Sequence, residues 1–183
     1  MNKELSTTTQ AQQLRSLFPG CKLEVKRRKL VWCYDLQPTA ISRRYTVKIK
    51  YHPNSKGVMT PDTYVMFPKH LPLAEGEFKL PHVYCNESQR ICLYDWRQKE
   101  WNPTMSLATT IVPWASEWLY FYEVWVMTGE WYGGGNHPGN YKEVKWPIGY
   151  NRIRNFWIDW NNNTIHWNRG LIIVLSLRLS ISC

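Results

Sequence analysis

Apolar residues recur at every second position through Leu23 and Val25, from Leu30 to Leu36 and from Tyr45 to Tyr51, and then at every third or fourth position from Leu107 to Trp125. A strand sends alternate side chains to opposite faces, whereas a helix returns a side chain to the same face after about 3.6 residues. The first block therefore reads as half-buried strands, its opening part either a hairpin with Lys26 to Lys29 as tip or one long bent strand, and the second as one long helix. Strands in sequence followed by a helix predict an α+β domain, a four-stranded antiparallel meander with the helix backing it. Tyr64 to Phe67 supplies the last strand of the meander. Pro68, Pro72 and Pro81 then mark an extended crossing outside the sheet, because proline cannot donate a ladder hydrogen bond.

Both predicted helices carry their own boundaries. Leu5 to Phe18 has Leu14, Leu17 and Phe18 on one face, Ser6 or a following threonine as cap, and Pro19-Gly20 as stop. In the second, Leu107, Ile111, Trp114, Trp118, Phe121 and Trp125 form the stripe, Pro113 fits only a first turn, and Gly129 ends the run. An aromatic stripe at helical spacing is read as core, not as a cofactor site. The 183 residues predict a single domain with a core over about 5–129 and a C-terminal elaboration over 130–183. Residues 130–150 read as loop. Gly133-Gly134-Gly135 lacks the Gly-Lys-Ser/Thr of a phosphate loop, and the stretch carrying Asn136 and His137 is either a flap beside the functional site or a connector. Asn161-Asn162-Asn163 reads as a turn between two aromatic runs, and the last dozen residues as an edge strand or a docking helix.

The net charge of +9 favours an acidic partner, but the basic residues are dispersed, and Lys26-Arg27-Arg28-Lys29, the one tight run, falls on a hairpin tip. No nucleic-acid-binding motif accompanies the charge, so nucleic acid is not the predicted partner. Eleven Trp and eleven Tyr serve either the packing of a strand-rich domain or a surface for a protein partner. Five cysteines, an odd number, follow a polar N-terminus without a signal peptide, which predicts a reducing cytoplasm and free thiols. The apolar stretch from Leu171 is too short and too polar to span a bilayer.

One of those thiols stands in a distinctive setting: Pro81-His82-Val83-Tyr84-Cys85-Asn86, a short polar loop, Ile91-Cys92-Leu93, then Trp101-Asn102-Pro103 and the long helix. Most free cysteines are small core hydrophobes. A thiol in an apolar crevice with no strong base aimed at water also suits a thioester, which must form by thiolate attack and yet resist hydrolysis. A cysteine hydrolase would instead require a histidine in hydrogen-bond reach of the sulfur. His82 is open to either use, as support of the loop or as base. His82, Cys85 and Cys92 lack a fourth partner at metal-ligand spacing, so no metal is predicted, and nothing calls for a cofactor. Cys85 is the rival thiol, and Asp95, Glu100 and Asn102 could meet an incoming lysine.

This order of residues resembles the active-site segment of ubiquitin-conjugating enzymes, which runs His-Pro-Asn, a loop, Ile-Cys-Leu, Trp-Ser-Pro and a helix. Over roughly Cys21 to Gly129 the whole pattern is most similar to stand-alone bacterial conjugating-enzyme-like proteins of CBASS-type antiphage operons. The resemblance implies that Cys92 is the nucleophile, that His82 braces the loop, and that Ile91, Leu93, Trp101, Asn102 and Pro103 form the groove. Val83 and Tyr84 replace the family's Pro and Asn, so Tyr84 or Asn86 would have to support the oxyanion. A second triplet, His52-Pro53-Asn54, closes a strand-like run and reads as a turn. The implied partner is the C-terminus of a cGAS/DncV-like nucleotidyltransferase held as a Cys92 thioester. The alternatives are a catalytically silent binding module and a Cys-His deconjugase.

Overall fold

The computed structural model describes residues 3–53, 60–134, 156–159 and 164–167. Helix α1 (Thr7–Leu17) starts where the Ser6 hydroxyl accepts from Thr9 N–H at 3.0 Å and ends where Phe18 N–H donates to Leu14 O. Gly20, at φ +82°, makes the left-handed turn into the sheet that a Cβ would resist. Strands β1 (Lys22–Lys26), β2 (Lys29–Leu36), β3 (Tyr45–Tyr51) and β4 (Asp62–Phe67) form the antiparallel meander.

The sheet is larger than the predicted four strands. Short strands β5 (Val83–Cys85) and β6 (Arg90–Ile91) add to it in the order β1-β2-β3-β4-β6-β5. The loop before Cys92 is thus a small hairpin docked on β4. Two- and three-residue strands with one aliphatic anchor are below the length at which alternation can be read, which is why the sequence pattern missed them. Segment 68–82 runs outside the sheet, as its prolines require.

Helix α2 (Ile111–Thr128) begins after Leu107, which is fully buried but lies ahead of the helix. Pro113 occupies the first turn, where no intrahelical N–H bond is lost, and Gly129 ends the helix at φ +75° with its N–H on Trp125 O. Leu30, Trp32, Val47, Ile49, Val65 and Ile91 from the sheet pack in one core with Leu14 and Phe18 of α1 and Ile111, Leu119 and Tyr122 of α2. Tyr45 meets Tyr122 edge to face at 6.2 Å. At that contact Glu123 accepts from Ser42 Oγ at 2.5 Å, Tyr45 Oη at 2.8 Å and Arg43 N–H, fastening α2 to the β2–β3 loop. A separate pair, β7 (Phe156–Asp159) and β8 (Thr164–Trp167), is antiparallel across the Asn-rich stretch. No helix among the described residues is long and apolar enough to cross a membrane. Residues 54–59, the stretch carrying Asn136 and His137, and the last dozen residues lie outside the described residues.

Candidate functional site

Cys92 is the first residue beyond β6, so the strand that buries Ile91 in the core also fixes the next side chain at the sheet's border. Its backbone N–H donates to His82 O at 2.8 Å, which ties the two ends of the β5–β6 hairpin. The same carbonyl accepts from Trp118 Nε1 at 3.2 Å, so α2 holds the hairpin from behind. Tyr122, one turn further along α2, donates its hydroxyl to Pro72 O at 2.8 Å and fixes the proline-rich crossing. The backing helix thereby anchors both the segment leading to the site and the site's own hairpin.

Around the half-buried sulfur the polar groups are few. Cys92 Sγ lies 3.9 Å from Tyr94 O, and the Tyr84 hydroxyl donates toward that same carbonyl at 3.4 Å. Tyr84 reaches this point through a break in register: Val83 faces Ile91 and Cys85 faces Arg90, leaving Tyr84 as the extra residue of a bulge. A bulge re-aims the side chain it carries. Burial pushes the Cys92 thiol up from its ordinary value; the neighbouring Tyr84 hydroxyl and the backbone at Tyr94 draw it back, and Asp95 and Glu100 add to the rise. Tyr84 is itself pushed well above the usual phenol range, first by burial and then by the neighbouring Cys92 thiol, with Arg90 opposing.

The imidazole of His82 lies against Trp131, ring centroids 5.1 Å apart and planes 21° from parallel. His82 holds φ +48°, an uncommon conformation for a residue with a Cβ, at the entry to the hairpin. Asn86 uses its side-chain oxygen to accept from Leu80 N–H at 2.9 Å and its backbone oxygen to accept from Gln89 N–H, bracing the loop. Cys85, the rival thiol, donates to Glu87 at 3.2 Å. Of the predicted groove, Leu93 is half-buried, Asn102 exposed and Pro103 intermediate. Ile91 and Trp101 are buried, 2% and 6% exposed, and Trp101 packs edge to face on Tyr51 while its Nε1 donates to Thr110 Oγ1. Strand alternation sends Ile91 inward when Cys92 faces outward, and a run of three letters does not say which neighbour goes where. Asn102 Oδ1 accepts from Thr104 N–H and Oγ1, closing a turn, and Pro103 O accepts from Leu5 N–H. Glu100 Oε2 accepts from Asp95 N–H and Asp95 Oδ1 accepts from Arg97 N–H, so the loop after the cysteine is cross-braced.

Three residues outside the sequence reading shape the site. Gln89, 5% exposed, accepts from Leu71 N–H at 2.6 Å and donates to Val65 O and Pro68 O at 2.7 and 3.0 Å, joining the hairpin to β4 and to the crossing. Arg90 pairs with Asp62 at 2.5 Å and stands over the Tyr84 ring, 4.8 Å from its centroid. Trp131 covers His82 and also touches Trp118 and Phe121. Polar residues in a hairpin and a tryptophan past a helix stop give no periodic signal by which to find them.

An antiparallel sheet, two helices and a cysteine at the end of a hairpin held by the long helix define an α+β domain consistent with the ubiquitin-conjugating-like class. Residues 10–138 match the family model for Type II CBASS E2 proteins. That match covers well over half of the 183 residues, and the chain belongs to this family. Membership places it in CBASS antiviral defence, in conjugation-related activity, and beside a partner from the same operon. No curated protein matches the chain.

Proposed function

We propose that the chain, as a single cytoplasmic domain, carries an acyl group as a thioester on Cys92, that the acyl group is the C-terminus of a cGAS/DncV-like nucleotidyltransferase, and that the transfer regulates antiphage signalling. The observation that carries this reading is the setting of the Cys92 sulfur: half-buried, beyond a strand end, with a phenol hydroxyl and a backbone carbonyl as its polar neighbours. Such a thiol is shielded from water without being sealed. Cys92, deprotonated, attacks the carbonyl carbon of an activated acyl donor, an acyl adenylate or another thioester; the tetrahedral oxyanion collapses and expels the donor's leaving group. An amine or thiol then attacks the thioester carbonyl, restoring the Cys92 thiolate as the carbon–sulfur bond breaks. Tyr84 is the donor for the oxyanion, in place of the asparagine of related enzymes, while His82 and Asn86 hold the loop through their backbone and side-chain carbonyls. Leu93, Asn102 and Pro103 border the path of the acyl chain.

Coexpression with the operon's nucleotidyltransferase and mass spectrometry without thiol should reveal an adduct on Cys92 that reductant or hydroxylamine releases. Cys92→Ala should abolish it. An adduct that persists in Cys92→Ala moves the chemistry to Cys85 or elsewhere, and release of a free C-terminus without an accumulating thioester makes the protein a deconjugase. Equal phage protection by both forms leaves a binding module.

A further inference from the structure

We propose that Arg90, held by Asp62 and laid on the face of Tyr84, is a positioning residue that sets the Tyr84 hydroxyl against the Cys92 sulfur. Four contacts carry it. Asp62 of β4 pairs with Arg90 of β6 at 2.5 Å, with only 20% and 24% of the two side chains exposed, so the guanidinium is fixed from the neighbouring strand. Its carbon lies 4.8 Å from the Tyr84 centroid, a cation against the electron-rich face of the ring. Tyr84 is the bulged residue of β5, so the ladder alone does not fix its direction; packing against Arg90 does. Its hydroxyl and the Cys92 sulfur both converge on Tyr94 O, at 3.4 and 3.9 Å. The chain Asp62, Arg90, Tyr84, Cys92 thus runs from β4 through β6 and β5 to the thiol.

A cation on the ring also keeps the phenol a better donor than burial alone would leave it, and a better donor favours the thiolate. Among the described residues, Asp95, Glu100 and Tyr94 also act on this cluster beside the thiol, and Tyr64 acts on its Asp62–Arg90 end. The consequence for acyl transfer rests on the reading of Cys92 given above. The coupling itself is a property of the bare thiol and is measured there.

The test follows the rate of Cys92 alkylation by iodoacetamide against pH, read on the Cys92 peptide so that the other thiols do not interfere. Tyr84→Phe should move the midpoint of the profile upward. Below the midpoint each unit of rise slows the reaction by about threefold, the loss of thiolate being partly offset by its greater nucleophilicity. Arg90→Gln should move it in the same direction by a smaller amount, and should add nothing in the Tyr84→Phe background. A shift of equal size in both backgrounds means that Arg90 acts on the sulfur directly and overturns the proposal, as does no shift in the single variant. Because Arg90→Gln leaves Asp62 without its counter-charge, the double variant Asp62→Asn with Arg90→Gln, which removes both charges, must reproduce the shift. If wild-type protein forms no adduct with the nucleotidyltransferase while the non-additive shift is present, the acyl-carrier reading fails and this inference stands.

Discussion

At the scale of single residues, the site is governed by a balance around one sulfur atom. Burial disfavours the Cys92 thiolate and the Tyr84 hydroxyl restores part of it, with burial the larger effect. The folded thiol therefore keeps its proton to higher pH than an unfolded cysteine. The sign follows: folding is favoured by this group below the ordinary thiol range, and that contribution falls as pH rises through the raised folded value. Alkylation of native Cys92 should accordingly show a midpoint above that of the same cysteine in the denatured chain; a midpoint below it would mean that an unrecognised cation dominates. The resemblance that their segment carries singled out Cys92, His82, Tyr84 and Asn86. It did not assign their geometry, because whether a histidine offers its ring or its carbonyl is decided by the loop's dihedral angles.

At the scale of elements, the hairpin β5–β6 is too short to stand alone, and side-chain amides and indoles supply what its ladder lacks. Gln89 makes three hydrogen bonds from a buried position, to Leu71, Val65 and Pro68. Gln89→Leu would leave a backbone donor and two carbonyls without that partner. An unsatisfied buried group costs about 1–3 kcal/mol, and partial relaxation makes about 2–4 kcal/mol the expected total, seen as a lower denaturation midpoint at unchanged slope. A loss under about 0.5 kcal/mol would show that the hairpin does not depend on this residue. Gln10 does the same for the first helix: fully buried, it donates to Met105 O and accepts from Leu107 N–H, each at 2.8 Å, bonding α1 to the segment that leads into α2. The strands of the meander and both helices were legible from period and punctuation. These amide clamps were not, since a glutamine's partners lie 18 to 97 residues away in the chain.

At the scale of the whole molecule, the six-stranded sheet and the two helices share one core, but not one of uniform strength. The seven paired positions of β2 and β3 lie at its centre, whereas β6 pairs with β4 at two positions and with β5 across a bulge. Amide hydrogen exchange should therefore show β3 protected to near the global unfolding free energy and β5–β6 opening at lower cost. Equal protection of the two would mean that Trp118 and Gln89 make the hairpin as stable as the core. The amino-acid sequence by itself determined the fold class and the helix stops, because each depends on local period or on neighbours within a few residues, and its resemblance to a family pointed to the candidate nucleophile. Only the tertiary structure decided that Ile91 and Trp101 belong to the core, that the Tyr84 hydroxyl and the Cys92 sulfur meet at Tyr94 O, and that Asp62 pairs with the Arg90 that covers the Tyr84 ring. Those outcomes depend on strand register and on contacts between segments distant in the chain, which no local pattern encodes.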